Sequence, residues 1–259
     1  MNIKMIVTDL DRTLLRSDKS ISDYTANILL ACKRQGVLVA FATARPERSC
    51  KRFEDEIHPD AIITNGGALA RAGGKTVYRA SMSIETTNAL LLSCLKHGNV
   101  GYITADTDNG FFVNKPVHPN DPAWIEYLPA YPVDFSQGLD CGARTIAVEI
   151  PDDTTAYEIA SHFPTVDVIP FFGENWFRFA DKAADKLHGV KELAVHTGIG
   201  LPHIAAFGDD YNDVEMLRAC GVGIAVANAI NEAKAAADHI CDANDNDGVA
   251  KWLAERVLI

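Results

Sequence analysis

A chain of 259 residues, 47% hydrophobic and 23% charged, has the composition of a globular protein of one large domain or two modest ones. Its net charge of −11 argues against nucleic acid or an anionic membrane surface as partners, because an acidic surface repels phosphates, whereas a small anion can still meet a locally positive site. No apolar run approaches the ~18 residues of a membrane span, no cleavable signal is expected before the first strand, and six scattered cysteines without a CxxC pair read as reduced thiols of a cytoplasmic protein.

Residues 4–10 form an apolar run that predicts a fully buried strand. Ser22 then caps a helical pattern in which Ile28, Leu29 and Cys32 share a face and Gly36 is the stop. A second apolar strand covers 37–43, and Pro46 suits the first turn of another helix. "AIIT" at 61–64 predicts a third strand, running into Asn65-Gly66-Gly67. Apolar strands alternating with helices predict a parallel sheet covered on both faces.

The pattern changes near Ser81. Up to about Ala184 the strands alternate apolar and polar, as in "GFFVNK", "RTIAVEI" and "WFRFAD". That pattern predicts an antiparallel sheet with one covered face, with helices near 84–97 and 153–163. Five prolines (Pro116, Pro119, Pro122, Pro129, Pro132) crowd the middle of this stretch. The first pattern returns after Lys186: strand "HIAAFGDD", helix "NDVEMLRAC", strand "VGIAVA", helix "NEAKAAAD", strand "HIC" and a last helix "GVAKWLAERV". The core is therefore expected to be split, with a second domain inserted.

Chemistry concentrates where strands end. In "KMIVTDLDRTLL", Asp9 and Asp11 follow the first strand, at the edge where open α/β sheets build ligand sites. On an extended strand residues i and i+2 share a side, so the two charges are unfavourable unless a cation lies between them or one is protonated; a solvated turn with capping aspartates is the alternative. Calcium-loop spacing is absent, since Leu14 and Ser20 stand where a glycine and a glutamate are needed. "FATAR" ends the second strand with Thr43, whose hydroxyl can donate to an anion, and with Arg45, which either meets substrate or faces solvent. Lys186 opens a helix. In "FGDDYNDVEML", Gly208 permits a tight strand exit, and Asp209, Asp210 and Asp213 crowd a helix start. Capping explains one or two of these acids; hard oxygen ligands also suit Mg²⁺. Zinc spacings of histidine, a GxSxG elbow and a complete phosphate loop around "GGKT" at 73–76 are all missing.

DxDxT, a strand-end threonine, a lysine and GDDxND, in this order, resemble the haloacid dehalogenase superfamily of phosphatases, in its Cof-type branch. "ITNGGALA" at 63–70 and "AAADHICDANDNDGVAKWL" at 235–253 are similar to the same branch. Three departures are Arg12 and Ala44, each where glycine is usual, and Leu187 after the lysine. The resemblance implies an α/β fold: a Rossmann-like parallel-sheet core, 1–81 and 184–259, with an inserted α/β cap domain, 82–183, containing an antiparallel sheet. It implies Asp9 as nucleophile and Asp11 as acid and base. Mg²⁺ is then held by Asp9, the Asp11 carbonyl and Asp209. Thr43, Lys186 and the backbone amides near Leu10 receive phosphate, and Asn212 touches phosphate or metal. Asp213 orients Lys186 or a metal-bound water, and Asp210 and Arg45 support. The partner it implies is a small phosphorylated metabolite, first a sugar phosphate. A phosphomutase and a non-catalytic phosphometabolite-binding protein are the alternatives.

Overall fold

The computed structural model describes residues 2–258, so Met1 and Ile259, the outer limits of the expected core, lie outside the described residues. In chain order the first elements are β1 (Met5–Thr8), α1 (Asp23–Arg34), β2 (Leu38–Ala42), α2 (Lys51–Ile57), β3 (Ala61–Thr64), β4 (Leu69–Ala72) and β5 (Lys75–Arg79). Next come α3 (Ile84–Lys96), β6 (Ile103–Thr107), β7 (Phe111–Val113), β8 (Tyr131–Pro132), β9 (Ala143–Glu149), α4 (Asp153–Ser161), β10 (Val166–Pro170) and β11 (Trp176–Asp181). The last are α5 (Lys186–Thr197), β12 (Ile204–Gly208), α6 (Val214–Ala219), β13 (Val222–Val226), α7 (Asn231–Ala236), β14 (His239–Cys241) and α8 (Gly248–Arg256). The chain forms two compact units. One comprises the residues up to Arg45, Cys50–Arg79 and those from Asp185 on; the other comprises Pro46–Ser49 and Ala80–Ala184.

The first unit is built on a sheet ordered β14-β13-β12-β1-β2-β3-β4-β5. Its strands from β14 to β3 are parallel. The β4–β5 pair, which the sequence reading did not assign to this sheet, adds an antiparallel hairpin at the edge. Gly73 and Gly74, both at positive φ, make its two-residue turn, as a tight hairpin requires. Ile6, Val7, Val39, Phe41, Phe207 and Ile224 are wholly buried in the core, as central strands covered on both faces must be. Ser22 caps α1 by accepting from Thr25 N at 3.0 Å, which satisfies one of the amides a helix start leaves unpaired.

In the second unit the sheet runs β10-β11-β9-β6-β7-β8. It is antiparallel except for the parallel β7–β8 pair. Ile103, Ile146, Val148, Phe177 and Phe179 pack with Leu90 and Leu91 of α3 and Ile159 of α4. The alternation predicts one covered face, but Thr104, Asp106, Thr145 and Arg178, on the opposite register, are buried too. A smaller cluster of Phe111, Val113 and Trp124, with Tyr102 and Trp176, covers apolar surface on that side. Periodicity reports side-chain polarity and does not by itself tell whether a face is covered.

Two glycines separate backbone strain from crowding. Gly36 and Gly67 both have positive φ, but a Cβ on Gly36 meets nothing within 4 Å, whereas one on Gly67 would lie 2.0 Å from the Asp185 carbonyl oxygen. Gly67→Ala is expected to lower unfolding stability by about 2–4 kcal/mol through strain and overpacking together. Gly36→Ala carries the strain alone, about 1–2 kcal/mol. Urea midpoints of the two variants check this, and equal losses would refute the crowding.

Candidate active site

The parallel pairing of β1 with β12 sets Thr8 opposite Phe207, so the loops after these strands emerge side by side. Asp9 N donates to Phe207 O at 3.0 Å. Asp9 is buried, and its Oδ1 accepts from Lys186 Nζ at 2.6 Å. The same ammonium donates to Asp213 Oδ1, also at 2.6 Å. Lys186 is the first residue of α5, whose cap Asp185 accepts from His188 N at 2.9 Å. The other oxygen of Asp213 accepts from the amides of Asp209 and Asp210 at 3.0 and 3.1 Å. Both oxygens of Asp213 are thus engaged in holding Lys186 and the acidic loop.

Gly208 does not have positive φ; what it supplies is room. A Cβ there would stand 2.4 Å from Asp213 Cγ. The loop carrying Asp209 can therefore pass Asp213 only if position 208 has no side chain. Asp209 Oδ1 accepts from Thr13 Oγ1 at 2.8 Å, and Arg12 Nε stands 3.6 Å from Oδ2. Asp210 caps the following turn, accepting from Tyr211 N at 2.7 Å. Asn212 sits half-buried in that turn. Thr43 is buried, with its hydroxyl accepting from Arg45 N at 3.2 Å and its backbone fixed to Ile63 and Gly66. Leu10 has a fully buried side chain, so only its backbone can serve a ligand.

The expected geometry of the opening aspartates needs correction. The strand ends at Thr8, and alternation does not continue through Asp11. Asp11 is instead clamped by two cations: Arg45 reaches it with Nε and Nη2 at 2.6 and 2.7 Å, and Lys19 with Nζ at 2.6 Å. Arg45 is 6% exposed; it neither faces solvent nor stands apart from the site. A buried guanidinium needs a carboxylate partner, and the fork matches both carboxylate oxygens. Sequence reasoning assigned no role to Lys19 or to Thr13, although Thr13 lies inside DxDxT.

One oxygen from each of Asp9, Asp209 and Asp213 lies within 4.8 Å of the others. Three carboxylates against the Lys186 ammonium and the more exposed Arg12 guanidinium still leave a negative excess, and burial raises its cost. Desolvation, only partly offset by Lys186 and reinforced by Asp213 and Asp209, pushes the Asp9 carboxyl well above the usual range. Burial, then the Asp213 charge, pushes Asp209 up to about 7. Burial disfavours the Lys186 ammonium, but Asp213 and Asp9 hold its pKa well above the ordinary value. The Asp11 carboxyl goes the other way: burial raises it, but Arg45 and then Lys19 bring it down to about 2. A hard divalent cation fits this oxygen-only cluster and removes its charge excess. With Asp213 engaged, Asp9 and Asp209 are the carboxylates left to ligate.

The family model of haloacid dehalogenase-like hydrolases matches residues 6–253. The chain belongs to that family. Among curated relatives of this hydrolase is the Bacillus subtilis 5-amino-6-(5-phospho-D-ribitylamino)uracil phosphatase YitU, 26% identical over 97% of the chain and 96% of the relative. Another is the B. subtilis stress response protein YhaX, 28% identical over 98% of the chain and 93% of the relative. Among solved structures, the subclass IIB sugar phosphatase BT4131 superposes with a TM-score of 0.88 at 25% identity, covering 99% of this chain and all of that one. All ten sequence-assigned site residues of the hydrolase come from its first unit.

The raised carboxyls give the hydrolase a definite pH signature. Unfolded aspartate titrates near about 3.9, and Asp209 in the fold near about 7. Between those values the native state holds the extra proton, so stability must fall as pH rises. In chelator, the melting temperature is expected to drop between pH 5 and pH 8. Millimolar Mg²⁺ is expected to raise the melting temperature and flatten the slope. A chelated protein whose melting temperature is flat or rises over that window would contradict the acidic cluster as described.

Proposed function

We propose that the chain is a Mg²⁺-dependent phosphatase of small phosphorylated metabolites, sugar phosphates first, acting through an aspartyl-phosphate on Asp9. The observation that carries the reading is the buried Asp9 carboxylate held by Lys186 beside Asp209, in a member of the haloacid dehalogenase-like hydrolases. Likeness to a sugar phosphatase along the whole chain supports the substrate class. Asp9, Asp209 and the Asp11 backbone carbonyl would hold Mg²⁺, which would supply the positive charge that lets a phosphate dianion approach a carboxylate.

Asp9 attacks phosphorus in line, and the bond to the ester oxygen breaks as the Asp9–phosphorus bond forms. The leaving alkoxide takes a proton from Asp11. A water then attacks the aspartyl-phosphate, returns a proton to Asp11, and frees Asp9 and inorganic phosphate. Lys186, Thr43 and the amide of Leu10 meet the charge that spreads over the phosphoryl oxygens. Clamped as it is, Asp11 is ionised, a weak base with no proton to give. To carry the first proton it must lose Arg45 and Lys19, and an arriving phosphate is an anion that competes for both. Arg45 is thereby assigned two successive partners, Asp11 and then substrate. Selection among metabolites is assigned to the inserted unit, expected over 82–183, because no reacting group comes from it.

Substituting the two aspartates separates their roles. Asp9→Asn is expected to abolish turnover and covalent phosphate. Asp11→Asn is expected to slow release from sugar phosphates by about 10²–10⁴-fold, the usual worth of general acid–base assistance. With nitrophenyl phosphate, whose leaving group needs little proton, the same variant is expected to give a burst of at most about one nitrophenol per site, then slow turnover. Unchanged sugar phosphate hydrolysis by Asp11→Asn, or a burst from Asp9→Asn, would overturn the assignment. Activity of the unmodified protein is expected to vanish in chelator and return with Mg²⁺, and phosphate release across a panel of phosphorylated sugars, nucleotides and vitamins tests the substrate class.

A further inference from the structure

The turn that carries Asp11 is held from the far end of the chain. Asp11 lies at φ −67°, ψ 128° and Arg12 at φ 59°, ψ 4°, the central dihedrals of a type II turn, whose third position favours glycine. Here that position is an arginine, so the turn sits in a conformation its own sequence disfavours. Leu15 N donates to Leu10 O at 2.8 Å across it. Further restraint comes from elsewhere. Asn228 Nδ2 donates to Arg12 O at 2.7 Å, and Asn228 Oδ1 accepts from Asn244 N at 3.0 Å. Asn244, 5% exposed, sends its own Nδ2 to Leu15 O at 3.0 Å.

The segment that follows grips the loop further along. Asp247 accepts from Arg16, Ser22 and Thr25, the nearest contact being Ser22 Oγ at 2.7 Å. Asp245 accepts from Ser17 N and Oγ at 2.8 and 2.7 Å. None of these groups belongs to the acidic cluster, and none is assigned by the motifs. Their common object is the stretch that begins at the reacting aspartates.

We propose that Asn228 and Asn244 form a hydrogen-bonded relay that fixes the Asp11–Arg12 turn for phosphoryl transfer, with Asn228 as a positioning residue. The proposal rests on the phosphatase reading above. The physical case is one of precision. Asn228 binds the carbonyl next along the chain from that of Asp11, and the Asp11 carbonyl and carboxylate ride on the same short turn. Without the relay the Arg12 carbonyl loses its side-chain anchor, and the disfavoured Arg12 conformation is held only by the contacts of its neighbours, Arg45 and Lys19 on Asp11 and Asp209 on Thr13. Small displacements of reacting groups cost rate far more than they cost binding.

Asn228→Asp is the discriminating variant. Its carboxylate still accepts from Asn244 N but presents an acceptor to the Arg12 carbonyl, so only the outer half of the relay is lost. Asn88→Asp serves as the control. Asn88 bridges Leu139 in the same two-ended way, Nδ2 to O at 3.0 Å and Oδ1 from N at 2.8 Å, in the second unit. With nitrophenyl phosphate and saturating Mg²⁺, Asn228→Asp is expected to lose about 10–100-fold in kcat with KM within about twofold. Amide exchange over residues 10–15, measured by mass spectrometry, is expected to quicken in the same variant. Asn88→Asp is expected to lower the melting temperature without either effect. Unchanged kcat in a folded Asn228→Asp would overturn the relay, as would a kcat loss matched by the control. An unmodified protein that releases no phosphate from any ester would overturn the phosphatase reading, and the relay's catalytic role with it.

Discussion

A buried ammonium between two buried carboxylates organises the site. Lys186 is 2% exposed, and an ion that far from water is tolerable only with partners at hydrogen-bond distance. Asp9 and Asp213 provide them from opposite parts of the chain. Asp213 then spends its second oxygen on the amides of Asp209 and Asp210, so one carboxylate sets both the lysine and the acidic loop. Gly208 is the steric condition for that arrangement. The pairing accounts for one positive charge against three negative ones. Arg12, 3.6 Å from Asp209, offsets part of the remaining excess, and the oxygen-only cluster fits a hard divalent cation.

The two halves of the site differ in how they treat charge. Around Asp9 and Asp209, burial and like charge raise the carboxyls; around Asp11, Arg45 and Lys19 lower one. Groups pushed apart in this way are suited to different tasks. A carboxylate that releases its charge excess to a metal can act as nucleophile. The two cations that clamp Asp11 can exchange its carboxylate for another anion. The same guanidinium fork that steadies Asp11 also matches a phosphate in shape and charge.

Much of the fold is legible along the chain. Apolar strands such as "VLVAFAT" must be covered on both faces, and that requirement yields the parallel sheet. The β4–β5 hairpin is less legible, because Ala70, Ala72 and the two glycines give no strong period. The Gly73-Gly74 pair, which needs positive φ at both positions, is the signal that finds it. In the second sheet, alternation marks the apolar register correctly but misses that Arg178 and Asp106 are buried as well, because their partners, the Ala184 carbonyl and Arg144, come from other parts of the chain. At the site, Arg12 is legible in one respect: it stands where glycine is usual in the resembling family, and it occupies the left-handed region.

The sequence by itself determined which chemical groups are available and that each lies at a strand end or a helix start. That information is local: it needs only an apolar run, a break and the residue that follows. Only the tertiary structure decided the pairings. Lys186 meets Asp9 across 177 residues, and Asn228 meets Arg12 across 216. Arg45 turns onto Asp11 rather than outward. Such partners are chosen by which strands lie side by side and in what register, as when Thr8 stands opposite Phe207. Register is set by the packing of both faces of the whole sheet, a quantity that no single stretch of the chain contains.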